Sequence, residues 1–181
     1  MTFIALLRGI NVGGQKSIKM TDLVHLFESL GMENVRTYVQ SGNVLFEHAS
    51  ATSAQIARRI EKKIEQTYGS DVSVIIRTPV ELKKVISRNP FLKKSGVQTD
   101  RLYVTFLSEV PNARSVAALD IPKDPQEKFT IAGKEVYLYC PNGYGNSKLN
   151  NTTFEKKLNV VATTRNWKTT TMLLELSQEQ E

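Results

Sequence analysis

In Val35-Arg36-Thr37-Tyr38-Val39-Gln40-Ser41-Gly42-Asn43-Val44-Leu45-Phe46-Glu47, two runs of strand-forming residues flank Gly42-Asn43. A glycine at the first central position of a two-residue loop suits a type II′ turn, so the stretch predicts a β-hairpin. What surrounds it determines how that hairpin is used. Upstream, Thr2 to Leu7 is an uninterrupted apolar run that reads as a buried strand. A loop containing Gly9, Gly13 and Gly14 follows, and then a helix capped by Thr21, with Leu23, Leu26, Phe27 and Leu30 at i, i+3, i+4, i+7 before Gly31. Downstream, a helix begins at Thr52/Ser53 with Ile56, Ile60 and Ile64 on one stripe and ends near Gly69, and Val72 to Arg77 reads as a β-branched strand. The order is βαββαβ. Its usual solution is a four-stranded antiparallel sheet in the order 4-1-3-2 with both helices on one face. The first crossover makes strands one and two parallel. The loop after Arg8 and the turn Gln40–Asn43 are therefore expected at the same edge of the sheet, about 5 Å apart by strand spacing.

Beyond residue 78, Thr78-Pro79-Val80-Glu81 is a capping box with proline at the first helical position. Arg101 to Leu107 reads as a strand and Asn112 to Leu119 as a short helix. Phe129 and Ile131 pair with Val136, Leu138 and Cys140 across Ala132-Gly133-Lys134, a second hairpin that places Tyr137 and Tyr139 on the opposite face. A short helix around Thr153–Leu158 and a final helix from Thr164 complete the chain. The second half reads βαββαα, a degenerate relative of the first. The expectation is an α+β protein with a ferredoxin-like lobe over residues 1–78, a connecting helix and linker over 79–100, and a second α+β lobe over 101–181.

Composition narrows the function. The 181 residues are 40% hydrophobic and 23% charged, as in a globular protein. One cysteine, Cys140, cannot form an internal disulfide, and two histidines with one cysteine do not make a zinc site; neither a metal nor a cofactor is expected. The opening apolar run is too short for a membrane span, so no membrane partner and a cytoplasmic location are expected. The formal net charge of +6 is unevenly spread: residues 1–20 carry +3 with no acid, 77–101 carry +5, 141–170 carry +4, and the remainder is −6.

At Leu6-Leu7-Arg8-Gly9-Ile10-Asn11-Val12-Gly13-Gly14, Tyr38-Val39-Gln40-Ser41-Gly42-Asn43-Val44, Ser147-Lys148-Leu149, Glu155-Lys156-Lys157-Leu158 and Thr163-Thr164-Arg165-Asn166-Trp167-Lys168-Thr169 the chain resembles the bacterial domain of unknown function family 1697. The resemblance implies a cytoplasmic α+β protein of ferredoxin-like character and transfers no catalytic residue. The family often has lysine after the paired glycines, where this chain has Gln15, and glycine after the Glu-Lys-Lys-Leu segment, where it has Asn159, a residue that tolerates a left-handed helix cap.

Three segments have chemistry suited to an anion. The loop with Arg8, Asn11, Gly13, Gly14 and Lys16 offers backbone N–H groups and two cations, and Ser41 and Asn43 are expected beside it. It is neither a Walker loop, which needs Gly-Lys-Ser/Thr leading straight into a helix, nor a dinucleotide fingerprint, for which Gly9, Gly13 and Gly14 have the wrong spacing and no acidic partner follows at the required distance. Ser147 and Lys148 precede one helix, and Arg165, Asn166, Trp167 and Lys168 open another in a pattern that suits phosphate clamping with base stacking. A plainer reading of the same residues stays open, with glycines serving tight turns, Thr164 as a helix cap and Trp167 as core packing. Catalytic signals are thin. His25 and His48 read as solvated, and neither Cys140 nor Ser147 has a base at a readable spacing. Strand three lacks the aromatics of an RNA-recognition sheet. The expected activity is binding of an anionic ligand, a phosphate-bearing small molecule or nucleic acid, at basic glycine-containing loops, with convergence of these cations as its premise. Two alternatives stand beside it: an enzyme acting on a phosphorylated or carboxylated small molecule, and a protein-interaction module.

Overall fold

A computed structural model describes residues 1–14, 16–49 and 52–179; Gln15 lies outside them. The chain divides into two compact units, Met1–Lys83 with Met172–Glu181, and Lys84–Thr171.

In the first unit, β1 (Thr2–Leu7), α1 (Met20–Glu28), β2 (Glu33–Tyr38), β3 (Asn43–Glu47), α2 (Ser53–Tyr68) and β4 (Val74–Arg77) follow one another in the expected order. The sheet runs β2-β3-β1-β4, antiparallel throughout. Alternation along the strands sends Phe3, Ala5, Leu7, Val44 and Phe46 to one face, where they pack with Leu23 and Phe27 of α1 and Ile56, Ile60 and Ile64 of α2. Phe27 meets the edge of Phe46 at 5.3 Å between ring centroids. Thr52 caps α2 in a reciprocal capping box with Gln55, and Gly69 closes it in the left-handed conformation at φ 65°. Two local expectations are corrected. Thr21 lies inside α1, whose N-cap is Lys19 without a side-chain bond, because the helix starts two residues earlier than the polar signal suggests. The hairpin connection is the four-residue segment 39–42 and not Gly42-Asn43: Asn43 already pairs with Tyr38 as the first residue of β3. On the face opposite α1 and α2, Arg36 Nη2 donates to the carbonyl of Leu176 at 2.6 Å, and its Nη1 lies 3.5 Å from the Glu179 carboxylate.

In the second unit, β5 (Leu102–Leu107), α4 (Ala113–Ala117), β6 (Lys128–Ala132), β7 (Glu135–Tyr139), α5 (Asn151–Leu158) and β8 (Ala162–Asn166) build a sheet in the order β6-β7-β5-β8. This is the order of the first sheet. β8 is the element missing from the sequence reading, which began a helix at Thr164; Thr164 is a mid-strand residue opposite Thr105 and caps nothing. α3 (Pro79–Ser87) follows β4, and α6 (Trp167–Gln178) follows β8. Thr78 and Glu81 form the expected capping box of α3, with Thr78 N donating to Glu81 at 2.8 Å and Glu81 N to Thr78 at 3.2 Å. Asn159 closes α5 in the left-handed conformation, φ 54°. Cys140 is fully buried in the core of this unit with Val136, Leu138 and Phe154. Tyr137 is buried on the opposite face, where its hydroxyl donates to the Val85 carbonyl at 2.9 Å.

Candidate functional site

The two halves are duplicates in register. β1 and β5 each donate from their last residue to the hairpin turn of their own sheet, Leu7 N to Gly42 O at 2.8 Å and Leu107 N to Lys134 O at 2.8 Å. The next amide of each donates to the residue before the fourth strand, Arg8 N to Ser73 O and Ser108 N to Val161 O, both at 2.9 Å. The scaffolds coincide up to that point and then diverge. In the second unit the chain reaches α4 through residues 108–112, whose only charged residue is Glu109. In the first unit it reaches α1 through residues 8–19, with Arg8, Lys16 and Lys19 and no acid. The hairpin turns diverge as well, Gly133-Lys134 in one unit and residues 39–42 in the other.

The two longer connections of the first unit meet. Asn11 Nδ2 donates to the Gln40 carbonyl at 2.9 Å and to the Ile18 carbonyl at 3.0 Å, while its Oδ1 accepts from Ile18 N at 2.9 Å. One side chain thus closes the glycine loop on itself and fastens it to the hairpin turn. Gly42 presses from the other side: a Cβ there would lie 2.8 Å from Ile10 Cδ1 and from Leu7 Cβ. Asn43 is wholly buried and donates to Tyr38 O at 2.9 Å and Ser41 Oγ at 3.0 Å. Asn11, Ser41 and Asn43, expected to touch ligand, therefore serve to build the turn and its latch. Lys16 Nζ donates to the carbonyl of Asp71. Gly13 and Gly14 are exposed, and a Cβ at either would meet nothing within 4 Å. Left-handed residues recur through the loop, at Gly9, Asn11, Gly13, Gly14 and Lys16. Backbone of this kind turns neighbouring N–H groups to one side and makes concavities that suit anions.

The other expected site residues belong to the second unit. Ser147 is buried, and its Oγ accepts from Leu149 N at 3.0 Å. Lys148 is exposed, and the cap of α5 is Asn150, which accepts from Thr153 N at 3.0 Å. Arg165 is buried on the sheet, where its Nη1 donates to Thr163 Oγ1 at 2.8 Å and Thr164 O at 2.9 Å; burial lowers its guanidinium to about 10. Asn166 caps α6 by accepting from Thr169 N at 2.7 Å, Trp167 is buried, and Lys168 is exposed.

A polar cluster that sequence reasoning missed surrounds Thr164. Its hydroxyl donates to Asn151 Oδ1 at 2.6 Å and accepts from Tyr144 at 3.0 Å and Thr105 at 2.7 Å. Tyr144 stacks on Tyr103 at 5.0 Å between centroids. The alternation Ala162-Thr163-Thr164-Arg165-Asn166 is the signal that marks this strand, but threonine reads equally well as a helix cap. The second unit also has a groove of about 500 Å³ lined by Glu109, Asn112, Asn159 and Val160, and the first a groove of about 510 Å³ at Glu28, Asn34, Arg36 and Glu47. Neither includes a residue expected to bind the anion. Among the described residues, no helix is long and apolar enough to cross a membrane, and no three His, Cys, Asp or Glu side chains cluster to hold a metal.

The sequence model of the family described as protein of unknown function (DUF1697) matches residues 1–137. No curated protein sequence matches the chain. Among solved structures, the chain is similar to the conserved bacterial protein SP0830 from Streptococcus pneumoniae, with a TM-score of 0.74 and 21% identity over 97% of this chain and 98% of that one. At that identity the likeness is one of fold.

Proposed function

The chain belongs to the DUF1697 family, and for this member we propose that the glycine loop of the first unit binds a phosphate-bearing anion, a nucleotide or nucleic acid. The observation that carries this reading is the meeting of two elaborations absent from the duplicate half: residues 8–19 and 39–42, joined by Asn11 and Gln40. The second unit completes the same sheet without either, so beyond the core side chains Ile10 and Ile18 these segments are extra to the shared scaffold. The elaborated edge holds cations without acids in residues 1–20 and an exposed Gly13-Gly14 backbone. These are the two components of phosphate recognition, fixed positive charge and close backbone approach. Asn11 is a positioning residue in this scheme: it holds the loop in shape and leaves the ligand to its neighbours.

Pyrophosphate titrated by calorimetry tests the reading. Replacing Arg8 and Lys16 together by Gln should weaken binding roughly tenfold or more, equivalent to at least about 1.4 kcal/mol, and reduce its salt dependence. Asn11→Ala should weaken it by loosening the loop. Lys148→Gln and Lys168→Gln, in the second unit, serve as controls. An affinity that stays the same in the Arg8/Lys16 double variant, folded by circular dichroism, removes the proposal.

A further inference from the structure

We infer that the anion taken by this loop is a mononucleotide whose base lies on Val12 and Val39; the inference rests on the binding reading above. Val12 is 63% exposed and Val39 48%. Each directly neighbours a latch residue, Asn11 in one loop and Gln40 in the other, which are joined at 2.9 Å, so the two valines stand at the rim where the elaborations meet. Val12 is also next to Gly13, about 3.8 Å away between Cα atoms, so an apolar group resting on it stays within reach of a phosphate at Gly13-Gly14.

Val39 is the more informative of the pair. It sits at φ 49°, in the left-handed region that a β-branched side chain avoids. The turn around it is fixed by other residues: Asn43 holds Tyr38 and Ser41, Gly42 packs against Ile10, and Asn11 holds Gln40. A glycine or asparagine would satisfy that backbone with less strain, and the exposed half of the valine side chain is not buried in the core. Strain kept at an exposed apolar residue beside a cationic loop fits a surface made for a ligand with both an anionic and an apolar part. Inorganic phosphate or a sugar phosphate has no use for such a rim. An extended single strand needs aromatic platforms for successive bases, and neither residues 8–19 nor residues 39–42 contain an aromatic side chain. A single nucleotide fits both features.

Calorimetry with ADP, pyrophosphate and an oligo-deoxythymidine octamer tests this on the full chain, comparing the unaltered protein with Val39→Asn and Val12→Ser. ADP should bind at least tenfold more tightly than pyrophosphate. Both variants should lose that preference while keeping the affinity for pyrophosphate, and Val39→Asn should melt no lower than the unaltered protein because asparagine tolerates the left-handed conformation. Equal affinity for ADP and pyrophosphate, or a preference that survives both substitutions, overturns the inference and leaves phosphate binding standing. An octamer that outcompetes ADP and is indifferent to Val39→Asn overturns it in favour of nucleic acid. If none of the probes binds, the reading of the site itself falls.

Discussion

Arg77 and Arg165 occupy the same position in the two halves of the chain: Arg77 on β4 pairs with Ile4, the third residue of β1, and Arg165 on β8 pairs with Val104, the third residue of β5. Both are buried, 3% and 6% exposed, and both donate to backbone carbonyls of their own strand, Arg77 to Ile76 at 3.0 Å and Arg165 to Thr164 at 2.9 Å. A helix begins within two residues of each, at Pro79 and Trp167. The repeat unit is thus βαββαβα, with a buried guanidinium before its last helix. Differences between the copies then stand out against a common frame, and they gather at the glycine loop, the first hairpin turn and the hydroxyl cluster of the second sheet.

The hydroxyl cluster depends on Thr164. Thr164→Val preserves shape and strand propensity but removes the hydroxyl that donates to Asn151 and accepts from Tyr144 and Thr105. Urea unfolding should show a loss of about 1–2 kcal/mol, below the top of the roughly 1–3 kcal/mol that a fully buried unpaired polar group costs, because the cluster is only part-buried. Thr164→Ser, which keeps the hydroxyl, should lose about 1 kcal/mol or less. Equal stability of the two variants would refute the role given to the hydroxyl.

Gly42 and Gly13 share a left-handed backbone, φ 76° and 62°, but differ in space. A Cβ on Gly42 collides with Ile10 and Leu7 at 2.8 Å, whereas one on Gly13 meets nothing within 4 Å. Gly13→Ala should therefore cost only the conformational strain, about 1–2 kcal/mol. Gly42→Ala should add an overpacking cost of about 1–3 kcal/mol. Melting curves of the two variants separate strain from packing, and a Gly13→Ala variant melting as low as Gly42→Ala would discredit the contact between turn and loop.

Alkaline pH should destabilise the second unit through Cys140. Burial, reinforced by the Glu127 carboxylate, pushes its thiol from the ordinary 9 up to about 11. A group whose folded value is raised contributes stability that is complete below its unfolded value and lost as pH climbs through the folded one, here from about 9 to about 11. Burial, then the Glu135 carboxylate, raises Tyr137 from 10 to about 12, so it adds to the loss only above pH 10. Arg165, lowered to about 10, acts in the opposite sense there, since an arginine that deprotonates more easily when folded gains stability as pH rises further. Between pH 9 and 10 the effect belongs to the cysteine. The urea midpoint should fall across that interval, and Cys140→Ala should flatten the fall; an equal slope in both proteins would rule the thiol out.

The first half of the fold is legible because its signals agree. The apolar run of β1, the Ile56-Ile60-Ile64 stripe of α2, the Thr52 and Gly69 caps and the β-branched β4 all point to one topology, and the right-handed crossover leaves one sheet order for them. The neighbourhood of the Arg8 loop and residues 40–43 follows from that order. In the second half, Ala162–Asn166 is short and rich in threonine, which serves strand and helix cap alike, and only its pairing with β5 resolves the ambiguity.

For the site, residue types indicated where polar and cationic groups are concentrated, since glycine, asparagine and lysine have recognisable chemistry wherever they stand. They did not indicate which atoms were already engaged. Asn11, Asn43, Ser147 and Arg165 have the chemistry of ligand-binding groups, and the folded chain directs all four to backbone or side-chain partners of its own. Composition and periodicity are properties of residues taken along the chain, so they determined the topology of the first half and the charged segments. Hydrogen-bond partnership, the strain at Val39 and the divergence of two duplicated loops exist only once distant residues are brought within ångströms, so those were decided by tertiary structure alone.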